Sequence, residues 1–215
     1  FNDTCEQLVG NSHIPLALRY FGGAGKSHMD KYGTTMKDFA KIRAKASRHA
    51  SKNPLALFKK EVSEEEVLNS PIMWPGVMTR LMACPPTCGG AAAILVSEKF
   101  AKKHNIDASV KILAQSMTTD YESTFAEKDM MQLVGYDMTK EAARDVYSQT
   151  GVDVQDVDVV ELHDCFAHNE LITYEALGLC EEGEAQKFVH DGNNTFGGQF
   201  VTNPSGGLLS KGHPL

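Results

Sequence analysis

Two histidines in this sequence stand where a side chain can do chemistry. One is His163, in ELHDCFAHNE (residues 161–170), at the end of an apolar run from Val157 to Leu162 that reads as a strand. In α/β sheets, ligands commonly bind beyond the carboxyl ends of strands, which is where His163 falls. The other is His213, in the tail NPSGGLLSKGHPL. There Asn203, Pro204, Gly206, Gly207, Gly212 and Pro214 give a backbone shaped by turns. Glycines beside a histidine let a ligand or another backbone approach closely. A histidine so placed serves as a base, an oxyanion donor or a plain turn residue.

Two other constellations carry less. His163, Asp164, Cys165 and His168 lie within six positions and raise the idea of a metal site. His163 leaves from a strand end while Cys165 and His168 share a helix face, and zinc prefers better-separated ligand pairs, so no metal is expected. GGAGKS (Gly22–Ser27) looks like a phosphate loop, but Tyr20 stands where that motif needs its first glycine. A flexible loop before a helix is expected there. Five cysteines, an odd number in a mid-sized chain, argue against a secreted disulfide framework and for a reducing compartment.

The elements that would position the histidines can be read from caps and periodicity. Thr34 or Thr35 caps a helix to about His49, with Phe39, Ile42 and Ala46 on one face. Ser63 and Glu66 form a capping box for a short helix that ends before Pro71. No convincing strand is expected before about Arg80. Ala91–Val96 and Val110–Met117 read as strands, and Ser97 caps a helix between them. A helix from about Thr139 stops at Gly151, and another from Phe166 stops at Gly178. Strands alternating with helices of this length predict an α/β layer structure with parallel pairing.

Composition sets the outer bounds. Of 215 residues, 42% are hydrophobic and 23% charged, ordinary for a globular protein. No apolar run approaches the roughly 18 residues of a membrane helix, so no transmembrane segment is expected. A net charge of −7 excludes an obvious nucleic-acid binder. The stretch Lys37–Lys60 nevertheless carries eight Lys/Arg against one acid, Asp38. That stretch is either a solvated helix face or a landing place for phosphate groups. The chain opens FNDTCEQ, with no methionine or targeting segment, and stops two residues past His213. The expectation is an internal piece of a larger enzyme.

HDCFAHNE followed by NPSGGLLSKGHPL, together with YEALGLC and the upstream CPPTCGGAAA, strongly resembles the thiolase domain of the sterol carrier protein X family, the 3-oxoacyl-CoA thiolases. AGKSHMDKYGTTMKDFAKI, AAAILVSEKF and VGYDMTKEAARDVYSQTGV extend the resemblance over nearly the whole chain. It implies a thiolase-like layered α/β fold, with residues 1–80 the later part of a helical loop or lid region and 81–215 most of the C-terminal half. It implies cleavage of 3-oxoacyl-CoA by coenzyme A, in lipid or sterol side-chain β-oxidation, by a peroxisomal homodimer. Coenzyme A is then a co-substrate, with no tightly bound cofactor, and the basic stretch gains a candidate purpose in holding its phosphates.

By the same resemblance, His213 promotes thiolate formation on a nucleophilic cysteine and helps bind the thioester oxygen. His163 supplies a second donor to that oxygen, and Asn203, Gly206 and Gly207 contact substrate. The family's nucleophile and its Cys-x-Gly cysteine match none of Cys5, Cys84, Cys88, Cys165 and Cys180. Gly89 stands where the family usually has aspartate in Asp-Gly-Ala-Ala. The alternative reading is a non-catalytic thiolase-like protein that binds acyl-CoA or lipid, or that has a structural role.

Overall fold

The structure is a computed structural model that describes residues 1–10 and 13–214. Four helices come first: α1 (Asn2–Val9), α2 (Leu16–Tyr32), α3 (Met36–Ser51) and α4 (Glu64–Leu68). A small antiparallel hairpin follows, β1 (Ile72–Trp74) against β2 (Met78–Thr79), where the sequence predicts no strand. Next come β3 (Pro86–Thr87), α5 (Glu98–His104), α6 (Glu122–Ala126), α7 (Met130–Leu133) and α8 (Tyr136–Thr150). The chain then runs through β4 (Val159–Val160), α9 (Ala167–Ala176), α10 (Ala185–His190) and β5 (Val201–Thr202). A π-helical turn, Gly207–Lys211, leads into β6 (His213–Pro214). β4 pairs in parallel with β5, and β3 in parallel with β6. Helices and short parallel pairs together give the expected mixed α/β architecture.

Helix ends follow the local signals. At the start of α3, Thr35 N–H donates to Asp38 Oδ2 at 2.7 Å. Ser63 and Ser97 hydroxyls accept from Glu66 and Phe100 N–H at 3.1 and 3.2 Å, satisfying first-turn donors of α4 and α5. Gly151 ends α8 at a φ of 68°, a left-handed cap that suits glycine. That helix begins at Tyr136, ahead of Thr139, because Gly135 turns the chain into it.

The core gathers around α3 and α9. Phe39, Ile42 and Ala46 of α3 are fully buried, as the spacing predicts, with Leu171 and Tyr174 of α9 and with Met78, Met82 and Leu209. Residues on both sides of position 80 therefore share one core. GGAGKS is not a loop but the middle of α2. A methyl on Gly25 would lie 2.3 Å from His168 Cδ2, and one on Gly22 would lie 2.8 Å from Trp74 Cε3. Small residues there let α9 and the hairpin close onto α2, and that packing outweighs glycine's poor helix propensity, about 1 kcal/mol.

Two further expectations need correction. The basic stretch is a solvated face only in part, since Arg43 and Lys45 of its helix are buried among internal acceptors while Lys37, Arg48 and Lys52 stay exposed. Lys45 Nζ donates to Glu170 Oε1, to Thr202 Oγ1 at 2.6 Å and to Tyr174 OH at 3.2 Å. Segments 91–96 and 110–117 carry no regular secondary structure, and Ile94, Leu95, Val110 and Leu113 are exposed. A strand needs a neighbour for its N–H and C=O groups, and among the described residues neither segment has one.

Candidate active site

Each histidine is carried by a loop pinned at its base. β4 ends at Val160, whose carbonyl accepts Asn203 N–H at 2.7 Å, and Leu162 N–H donates to Asn203 Oδ1 at 2.8 Å. Asn203 takes a φ of 47°, a left-handed value that asparagine tolerates better than most residues. Glu161 holds the next residues by accepting from Ser205 N–H and Oγ at 2.9 and 3.0 Å. Asn169 Nδ2 donates to the His163 carbonyl at 2.6 Å, tying the loop to α9. The two stretches, about forty residues apart in sequence, thus leave β4 and β5 side by side.

The second loop turns at Gly206 and Gly207, runs through the π-helical turn and delivers His213 onto β6. There Pro86 of β3 lies opposite His213, and Thr87 lies opposite Pro214. The imidazole rings of His163 and His213 meet edge to face, with centroids 5.3 Å apart and an interplanar angle of 89°. Partial burial, and then the neighbouring His213, hold His163 below its ordinary pKa. It is therefore neutral near pH 7, one ring nitrogen donating and the other accepting. His213 Nδ1 is buried and has no hydrogen-bond partner among the described residues. Two adjacent imidazoles at the mouth of two loops can direct N–H donors at one developing negative charge.

The other sequence candidates separate. His168 is fully buried, its Nε2 2.9 Å from the Val77 carbonyl, and it packs on Phe39. The Asp164 carboxyl accepts from Leu208 and Leu209 N–H. His163, Asp164, Cys165 and His168 do not converge, and among the described residues no group of three or more His, Cys, Asp or Glu is placed to hold a metal. Asn203, Gly206 and Gly207 are buried. Methyls at Gly206 and Gly207 would collide with Ala50 and with the Asp164 carboxyl, so the close approach at these positions is made by the protein itself.

All five cysteines are free. Burial pushes the thiols of Cys5, Cys84, Cys165 and Cys180 up, that of Cys180 to about 12. A thiolate is the nucleophilic form, so none of these four is activated. Cys88 is exposed just past β3. What the sequence did not foretell is that β3 flanks His213, and that Asp164 and Arg43 brace the turn beneath it. The adjacent prolines of CPPTC gave no periodicity to read.

Residues 119–215 match the family described as thiolase C-terminal domain-like. The fold agrees, because a solved monomeric SCP2-thiolase-like protein from Mycobacterium smegmatis superposes with a TM-score of 0.65 at 20% identity, covering 98% of this chain and 44% of that one. The fold and paired loops thus define a thiolase-like domain. Within that class, the chain is similar to sterol carrier protein 2. It is 54% identical to the Bos taurus protein over 207 residues, 96% of this chain but 38% of that protein. It is also 40% identical over 188 residues to the benzoylsuccinyl-CoA thiolase subunit BbsB of Thauera aromatica, covering 87% of this chain and 48% of the subunit. The chain therefore spans about two fifths of the length of its sterol carrier protein 2 relatives.

Proposed function

We propose that this chain supplies the oxyanion-binding histidines of a 3-oxoacyl-CoA thiolase. The observation that carries the reading is the edge-to-face contact of His163 and His213, fifty positions apart in sequence. In thiolysis a cysteine thiolate attacks the 3-oxo carbon, and the bond to the neighbouring carbon breaks. Negative charge then collects on the thioester oxygen of the departing acetyl- or propionyl-CoA. Two preorganised N–H donors at that oxygen lower the barrier, and losing one such donor typically costs about 10²–10³ in rate. His213, with its buried Nδ1, fits the role nearer the sulfur chemistry. His163, neutral and more exposed, fits the second donor.

The thiolate would come from a cysteine other than Cys5, Cys84, Cys165 and Cys180, whose burial opposes ionisation. Coenzyme A and acyl-CoA are the partners in this reading, and a peroxisomal homodimer is its expected setting. Of the basic run, Lys37, Arg48, Lys52, Lys59 and Lys60 remain exposed, Lys60 beside Glu66 and Lys52 over the Phe196 ring. The alternative is a fold that binds acyl-CoA or lipid without turnover.

The test is thiolysis of a 3-oxoacyl-CoA by the longest natural protein that contains this chain. His213→Ala and His163→Ala should each lower kcat/KM by about 10²–10³ with the fold intact. Near-normal turnover in both would overturn the catalytic reading. Stoichiometric acyl-CoA binding without turnover in the unsubstituted protein would support the alternative.

A further inference from the structure

The residue after His163 has a role that neither the motif nor the histidine pair explains. Asp164 is fully buried. Its Oδ1 accepts Leu208 N–H at 2.6 Å, and its Oδ2 faces Leu209 N–H at 3.4 Å. Both donors lie in the turn that ends at His213. The basic residues nearby are committed elsewhere, Lys45 to Glu170 and Thr202, and Arg43 Nη1 to Ser210 Oγ at 2.6 Å. The carboxyl therefore spends its acceptors on the turn and not on an ion pair.

The rest of the turn fits around that contact. Gly207, at a φ of 59°, would place a methyl 2.0 Å from Asp164 Oδ2, so only glycine lets the carboxyl in. Leu57 and Phe58 N–H donate to the Lys211 and Ser210 carbonyls at 3.0 and 3.1 Å, which fixes the far end of the turn. Asp164 fixes the near end. We propose that Asp164 is a positioning residue, whose carboxyl locks the Gly207–Lys211 turn to the loop of His163 and so holds His213 against it. The position is a matter of geometry, and only the reaction it serves rests on the thiolase reading above.

The electrostatics permit this in either protonation state. Burial and then Glu170 push the carboxyl up to about 8, opposed by Leu208 N–H and Lys45; Arg43, Cys84 and Cys165 complete its charged and titratable surroundings. Oδ1 accepts from Leu208 whether or not Oδ2 holds a proton. An amide at this position keeps that bond, and a leucine of similar shape does not.

The experiment compares Asp164→Asn and Asp164→Leu with the unsubstituted protein by NMR, each in the longest natural protein that contains this chain. It reads the His213 ring shifts and the cross-relaxation between the His163 and His213 rings, with the Leu171 methyls as a core control. The expected result is a preserved ring contact in the Asn protein and its loss in the Leu protein, with Leu171 unmoved. A ring contact that persists in Asp164→Leu would overturn the proposal. If the Leu protein does not fold, Gly207→Ala presses a methyl into the carboxyl from the other side, and an undisturbed His213 there overturns it equally. In the same protein, Asp164→Leu should lower kcat by about 10²-fold with KM little changed, and Asp164→Asn should restore most of it. Loss of the ring contact in a protein that never performs thiolysis would uphold the positioning role and reject the thiolase reading alone.

Discussion

Helix α3 carries Arg43 and Lys45 into the core, whereas residues 91–117 hold Ile94 and Met117 at the surface, 92% and 93% exposed. Hydropathy would have placed them the other way round. The cations are buried because each finds internal acceptors, on Glu170, Thr202, Tyr174 and Ser210. The apolar segments are exposed because no sheet faces them among the described residues. Burial here follows the supply of partners more closely than side-chain polarity.

The sharpest way to break this comparison is to remove a partner inside the core. Lys45→Met leaves Glu170 buried without its cation and should cost about 3–5 kcal/mol in urea unfolding. The double substitution Lys45→Met with Glu170→Leu should recover most of that loss. A single substitution costing under about 1 kcal/mol would mean that the pair is hydrated in solution.

A smaller effect is expected from pH. Full burial holds His168 down to about 4, against an ordinary value near 6.5. The native state therefore keeps this ring neutral where the unfolded chain protonates it. Its contribution is complete above about pH 6.5 and falls as pH drops toward 4, by about 1.4 kcal/mol per unit. His168→Phe should flatten that part of the stability profile, whatever it does at neutral pH. An unchanged slope would show that the ring reaches water.

At the small end, Leu95→Thr should alter stability by no more than about 0.5 kcal/mol, since Leu95 is exposed. Leu171→Ala, in the core, should cost about 2–5 kcal/mol. Comparable losses at both positions would mean that the apolar segment is covered in solution.

The same contrast explains what the sequence could and could not disclose. Caps at Thr35, Ser63, Ser97 and Gly151 depend on residues a few positions away, and they were legible. So were the His163 and His213 loops, whose residue types mark a strand end and a turn. GGAGKS was misread because its glycines answer to His168 and Trp74, distant in sequence. Segments 91–96 and 110–117 have strand composition, but a strand exists only when another pairs with it. Asp164 reads in the sequence as one member of a polar cluster, and its hold on the turn is not legible because its partners are backbone N–H groups, which every residue but proline carries.

The shared core has a further consequence for how the molecule would respond to a protease. The exposed run from Gly89 to Val96 lies between two parts of the chain that interlock through α2, α3 and α9. Cleavage there would sever the backbone without separating the parts. The nicked protein would sediment as one particle and divide into two only in denaturant, with His163 and His213 still on the same fragment.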